Sequence, residues 1–133
     1  MIFVDSNVPM YVAGRDHPLR EPARRFLAAV RSGEIEACTS TEVVQEILYR
    51  YAALKRPDLA REVYDLFLQF CPVVLPVTLA DTDRARDLVC GSPPVGARDA
   101  VHAAVMINNG VRTVATFDRG FDRISGIERI ELT

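Results

Sequence analysis

The residues of this 133-residue chain that could do chemistry are its carboxylates. Asp5 comes directly after three apolar residues, Ile2, Phe3 and Val4, in MIFVDSN. Glu46 stands in VVQEILYR, Asp99 in ARDAVHAAV, and Asp118 and Asp122 in TFDRGFD. Taken singly, each has an ordinary use. Glu46 suits a surface pair with Arg50, four residues on along a helix. Asp99 suits the dipole at a helix start, and Asp118 suits an Asx-turn. Taken together they suggest more. Asp5 and Asp118 each follow an apolar strand, and Asp99 begins the helix leading into the second of those strands. If the strand ends converge, three or four acids share one pocket, where like charges raise one another's pKa. A divalent cation resolves that repulsion. Oxygen ligation without Cys or His suits Mg²⁺, with Mn²⁺ as the alternative. Ser6, Asn7 and Thr116 lie beside these acids as neutral donors able to orient them. Asp122 is a candidate extra ligand. His102, three residues after Asp99, can share its helix face. Packing among Ala100, Val101, Ala103, Ala104 and Val105 is its expected role, with a general base as the alternative.

The elements that must position these groups follow from periodicity and turn chemistry. Strands are expected over residues 2–4, 35–38, 73–77 and 113–116, with a fifth over 127–132. Helices are expected over 18–31, 57–70, 81–90 and 97–108. Another, capped by Ser6 or Asn7, contains Pro9. One more carries Val43, Val44, Ile47, Leu48 and Tyr51 at helical spacing behind a Thr39/Glu42 capping box. Gly33 ends the second helix, and Pro76 disturbs the third strand. Apolar strands alternating with helices predict an α/β fold, a three-layer α/β/α sandwich around a mainly parallel sheet of four to five strands. Residues 1–133 read as a single domain. In such a sheet the ligand site lies beyond the carboxyl ends of the strands, which is where Asp5 falls.

Composition removes several classes. No apolar run approaches the roughly 18 residues of a membrane span, and the acid at position 5 does not fit a signal peptide. The expectation is therefore an intracellular, cytoplasmic protein with no membrane partner. Cys38, Cys71 and Cys90 are scattered without a C-x-x-C pair, so they read as small apolar side chains. Net charge is −2 and does not advertise nucleic-acid binding. Of the sixteen basic residues only Lys55 is a lysine, and arginine makes bidentate phosphate contacts wherever it clusters. Arg98, Arg119 and Arg123 share motifs with the acids and are candidate phosphate contacts. Arg15, Arg20, Arg24 and Arg25 form a second candidate rim.

In order and spacing, VDSN, VVQEI, RDAVHAAV and TFDRGFD resemble the motifs of the PIN-domain ribonucleases, specifically the VapC-type toxins of type II toxin–antitoxin pairs. The resemblance spans essentially the whole chain. It implies a metal-dependent endoribonuclease whose four acidic positions are Asp5, Glu46, Asp99 and Asp118. Asp5, Asp99 and Asp118 would hold Mg²⁺ directly or through water, and Glu46 would complete the site through water or a second ion. Thr116, Ser6 and Asn7 match the polar positions beside the acids. The resemblance further implies an RNA substrate, a cognate antitoxin that obstructs the pocket, and a homodimer. The helical first half (Val8 to Val12, Phe26 to Val30, Ile47 to Tyr51) offers candidate surfaces for these partners.

Two other readings are distinguishable. A catalytically silent module of the same fold would bind RNA or its partner without cutting. A phosphotransfer protein with a nucleophilic Asp5 would want a lysine at a later strand end, and Lys55 lies at a helix terminus instead.

Overall fold

Ile2, Phe3 and Val4 are apolar because β1 (Ile2–Val4) runs through the middle of the molecule, with Phe3 and Val4 wholly buried. The computed structural model describes residues 1–133. After β1 the chain forms α1 (Asn7–Ala13), α2 (Arg20–Arg31), β2 (Ala37–Ser40), α3 (Thr41–Ala53), α4 (Pro57–Phe70) and β3 (Val74–Leu75). It continues through α5 (Leu79–Val89), α6 (Ala97–Asn108), β4 (Thr113–Ala115), a 3₁₀ helix (Arg119–Arg123) and β5 (Glu128–Ile130).

The five strands are all parallel, in the order β3-β2-β1-β4-β5. From β1 the chain steps outward to β2 and β3, then crosses back to place β4 on the other side of β1. The strand order reverses between β1 and β4, and in parallel sheets that reversal opens a crevice at the strands' carboxyl ends. Right-handed crossovers send the helices of the two halves to opposite faces. Accordingly α1, α2, α3 and α4 pack on one another, while α5 and α6 pair mainly with each other and α6 also touches α3. This is the expected three-layer arrangement.

The core joins Phe3, Val4 and Val114 from the sheet to Phe26, Ile47, Phe67 and Met106 from the helices. Fully burying one such side chain contributes about 1.5–3 kcal/mol. Cys38 and Cys71 are buried within it, their thiols pushed up by burial to about 11 and about 12, whereas Cys90 is exposed. No helix is long and apolar enough to cross a membrane.

Helices α4 and α6 begin and end where the sequence predicts. The second strand does not: it spans Ala37–Ser40, two residues later than expected. Thr39 is buried in it because its hydroxyl donates to Val4 O at 3.0 Å and its N–H bonds Val73 O. The cap of α3 is therefore Ser40, whose Oγ accepts from the Val43 N–H, and not Thr39. β3 shrinks to two residues ahead of Pro76, which has no N–H to pair. Ser6 stands at the N-cap position of α1 but its side chain makes no capping bond; the Ser6 and Asn7 side chains turn to the site, where they were also expected as donors beside the acids. Most of the apolar residues considered as partner surfaces are core. Leu48, Tyr49 and Leu54 are the large apolar side chains of this region left exposed, Tyr49 at 70%.

Candidate active site

The β1–β4 pairing reaches past the strands, since the Asp5 N–H bonds Ala115 O at 3.1 Å. That fixes Asp5 at the crevice, only 2% exposed. Its carboxylate is held on both oxygens: Oδ1 accepts from the Ser6 N–H at 2.7 Å and Oδ2 from the Thr116 hydroxyl at 2.8 Å. Thr116 Oγ1 in turn accepts from Asn7 Nδ2 and from the Asp118 N–H, both at 3.0 Å. A hydroxyl has one donor and two acceptor positions, so Thr116 is fully used. Asn7 Oδ1 closes the network by accepting from the Phe117 N–H at 3.4 Å.

Glu46 is not the surface partner of Arg50. Helix α3 turns it inward, where Oε2 accepts from the Ser6 hydroxyl at 2.8 Å and Oε1 meets His102 Nε2 at 2.7 Å. His102 is packed, as its apolar neighbours suggested, but it is also bonded. Its ring lies against Phe3 and stacks on Phe121, and Nε2 is 3.8 Å from Asp5 Oδ1. Burial opposes charge on this imidazole, yet the Glu46 hydrogen bond and the Asp5, Glu46 and Asp99 carboxylates outweigh it and raise its pKa.

Asp99, in the first turn of α6, has its pKa raised, chiefly by burial and then by Asp118. Asp118 caps the 3₁₀ helix, with Oδ1 accepting from the Gly120 N–H at 2.8 Å. Gly120 lies where a side chain would press on two carboxylates. A Cβ there would lie 2.8 Å from Asp99 Oδ2 and 3.1 Å from Asp118 Oδ1. The two acids close over the glycine. Arg98 joins the groups: its Nη2 lies 3.3 Å from Asp118 Oδ2, and its Nε lies 3.8 Å from Asp99 and 3.9 Å from Glu46. Burial works against its charge, but Glu46, Asp5, Asp99 and Asp118 together raise its pKa.

The four acids from four separate segments thus surround one crevice. The most compact set of potential ligand atoms, all within 4.8 Å of one another, comes from Asp5, Glu46 and His102. Asp99 and Asp118 do not join that set and reach it through Arg98. Asp122 lies apart from these groups: Arg129 Nε and Nη2 donate to it at 3.0 and 3.2 Å, and that pairing lowers its pKa. Arg119 and Arg123 are exposed beside Asp118 and make no ion pair. Sequence reasoning undervalued His102 and passed over Gly120. The signals were present, as the i,i+3 spacing from Asp99 and as the glycine of D-R-G-F-D.

A groove of about 1090 Å³ runs from Asp5 and Glu46 between α1 and α3. Arg15, Arg50, Arg56 and Arg98 line it, with Tyr11 and Tyr49. Arg56 is paired with Asp58, whereas Arg15 and Arg50 make no ion pair.

The profile of the PIN domain family matches residues 2–127. The chain belongs to the PIN-domain family. It is 41% identical over 130 residues to Ribonuclease VapC13 of Mycobacterium tuberculosis, across 98% of this chain and 99% of that protein. This places it with the VapC ribonucleases of the family. The PIN fold superposes on VapBC2 from Rickettsia felis bound to a promoter DNA fragment, with a TM-score of 0.77 at 19% identity over 98% of each chain. It also superposes on VapC20 of Mycobacterium tuberculosis, a toxin that cleaves the Sarcin-Ricin loop. There the TM-score is 0.72 at 22% identity, over 89% of this chain and 90% of that one. The PIN-domain fold and the family resemblance expected from the four motifs are both borne out.

Proposed function

We propose that this chain is a divalent-metal-dependent endoribonuclease, the toxin of a toxin–antitoxin pair, acting as a single domain. The observation that carries the proposal is the convergence of Asp5, Glu46, Asp99 and Asp118 on one crevice at the β1–β4 reversal. The likeness to named VapC ribonucleases along nearly the full chain supports the RNA substrate.

The donors suit Mg²⁺ or Mn²⁺. Asp99 Oδ1 is buried and has no hydrogen-bond partner, although a buried carboxylate oxygen ordinarily has one. Asp5 keeps a free lone pair on each oxygen after its two hydrogen bonds. Four carboxylates outnumber the two basic side chains among them, Arg98 and His102, so negative charge remains for a doubly charged ion to neutralise. Asp5, Asp99 and Asp118 would hold the ion, with Glu46 contributing through water. When bound there, the ion would supply an activated water and neutralise charge on the scissile phosphate.

The chain's own residues do the rest. Ser6 and Thr116 fix the Asp5 carboxylate, and Asn7 fixes Thr116. His102 and Ser6 hold Glu46 between them, so we assign His102 the role of orienting Glu46 and not of a ligand. The groove delivers the strand. Arg15 and Arg50 are free to meet phosphates, and exposed Tyr49 offers a stacking face for a base. Arg119 and Arg123 contact phosphate on the other side of the crevice.

The antitoxin would cover Leu48, Tyr49 and Leu54 and thereby close the groove to RNA; that solved relatives include VapBC assemblies supports this partner. The protein would act as a homodimer in the cytoplasm. The test is an RNA cleavage assay with and without Mg²⁺ or Mn²⁺, comparing the wild type with D5N and D99N. The expected result is metal-dependent cutting by the wild type alone. Equal cutting by all three would reject the site, and no cutting by any would favour a silent binding module.

A further inference from the structure

Arg98 sits among the carboxylates that a metal ion would need. Its one positive charge is shared by Glu46 on α3, Asp99 on α6 and Asp118 beyond β4, at 3.9, 3.8 and 3.3 Å. These contacts are loose. Charge-assisted N–H···O bonds ordinarily close to about 2.7–2.9 Å, and only the Asp118 contact is a hydrogen bond at all. Arg129 offers the contrast within the same chain. It forks onto Asp122 at 3.0 and 3.2 Å and is 11% exposed, whereas the Arg98 side chain is 56% exposed. Arg129 is built in, but Arg98 rests on the acids with more than half of its side chain exposed and a long stem behind its head.

Two further facts give the residue somewhere to go. Arg98 lines the groove between α1 and α3 as well as the acidic crevice. It is also the neighbour of Asp99, so its backbone stays put when the side chain swings. A divalent ion bonds oxygen directly at about 2.0–2.1 Å in the case of Mg²⁺, far closer than the guanidinium comes. The two like charges compete for the same oxygens.

We propose that Arg98 is a tethered counter-ion: it occupies the acidic crevice when metal and RNA are absent, gives up the carboxylates to the ion, and turns to an RNA phosphate at the groove mouth. This rests on the metal-nuclease reading above and adds a coupling to it. Arg98 lowers metal affinity while no strand is bound and raises strand affinity once the metal is in place. Metal and RNA then favour each other's binding, because linkage is reciprocal.

The coupling predicts opposite signs for one substitution. Mn²⁺ binding to the full chain without RNA is followed by the electron paramagnetic resonance of the free ion, for wild type, R98Q, R98K and D99N. R98Q should bind Mn²⁺ about two- to fivefold more tightly than wild type, the range of a partly screened charge pair. Its KM for RNA cleavage at saturating Mn²⁺ should rise at least about threefold, as for a lost phosphate contact. R98K keeps the charge and should stay near wild type in metal affinity, which a purely structural role for the guanidinium fork would not give. Melting curves in metal-free buffer establish that all variants fold. If wild type binds Mn²⁺, D99N does not, and R98Q binds it no more tightly, the tethered counter-ion is overturned and the nuclease reading stands. If wild type binds no Mn²⁺, both fall together.

Discussion

Thr116 Oγ1 donates to Asp5 Oδ2 across 2.8 Å, joining residues 111 positions apart in the chain. The bond crosses from the end of β4 to the end of β1, the two strands between which the sheet reverses. It couples the orientation of Asp5, the most buried of the four crevice acids, to the loop carrying Asp118, because the same hydroxyl accepts from the Asp118 N–H. T116V should therefore lose stability and activity together. It leaves Asn7 Nδ2 and the Asp118 N–H without their acceptor, a cost of about 1–3 kcal/mol for each group that stays buried. T116S restores the hydroxyl and should recover most of both. Chemical denaturation and RNA cleavage on the three proteins check this.

Gly120 separates activity from stability. An added methyl group meets Asp99 and Asp118 and little else. G120A should fold with a near-native melting temperature, yet cut RNA about 10- to 100-fold more slowly, because small misplacements of reacting groups carry penalties of that size. A G120A protein with wild-type kcat would show that these two acids do not need their present spacing.

The pH dependence of metal-free stability follows from Asp99 and His102. Asp99 has a raised pKa from burial, Asp118 and Asp5, which outweigh Arg98 and His102. The folded chain thus holds this proton more tightly than the unfolded chain. Stability falls as pH climbs from the unfolded value through the folded one, and the deficit persists at neutral pH. D99N should melt a few degrees above wild type at pH 7 without metal, and the difference should vanish in strong acid. His102 faces Glu46 from α3, Asp5 from the end of β1 and Asp99 from its own helix. Its raised pKa stabilises the fold below the ordinary histidine range, and that contribution is lost as pH rises through the folded value. H102Q should flatten this alkaline decline in thermal melts taken across pH.

Arg50 tests the groove. It lines the path to Asp5 and makes no ion pair. R50Q should weaken single-stranded RNA binding at all sequences and shrink the salt dependence by a slope of about 0.7, the value for one lost phosphate contact. Fluorescence anisotropy at several salt concentrations measures both. A weakened affinity with an unchanged slope would point to lost packing and not to a lost charge contact.

Much of this arrangement was legible in the sequence because local patterns matched the global fold. The apolar run before Asp5, the helical stripe of α6 and the placement of Asp99 in its first turn each pointed to their final positions. Glu46 was harder. Its wheel position beside Glu42 and Arg50 describes a surface residue, and only the packing of α3 beside α6 turns it toward His102. Ser6 and Asn7 read both as helix caps and as donors beside the acids, and local pattern alone does not choose between the two. Their side chains have nearby backbone donors as local partners, while their actual partners, Glu46 and Thr116, lie 40 and 109 residues away. The shift of β2 by two residues likewise depends on Val4 and Val73, neither of which is local. Asp122 shows the converse, since nothing in TFDRGFD indicates that Arg129 will take it.

The most direct test is crystallographic. Crystals of the full chain soaked in Mn²⁺ and measured near the manganese absorption edge should give an anomalous peak in the crevice, bonded to Asp5 and to Asp99 or Asp118, with Arg98 turned out toward the groove. A well-ordered crevice with Arg98 still on the acids and no peak at saturating Mn²⁺ would contradict the assignment of these four acids to a metal centre.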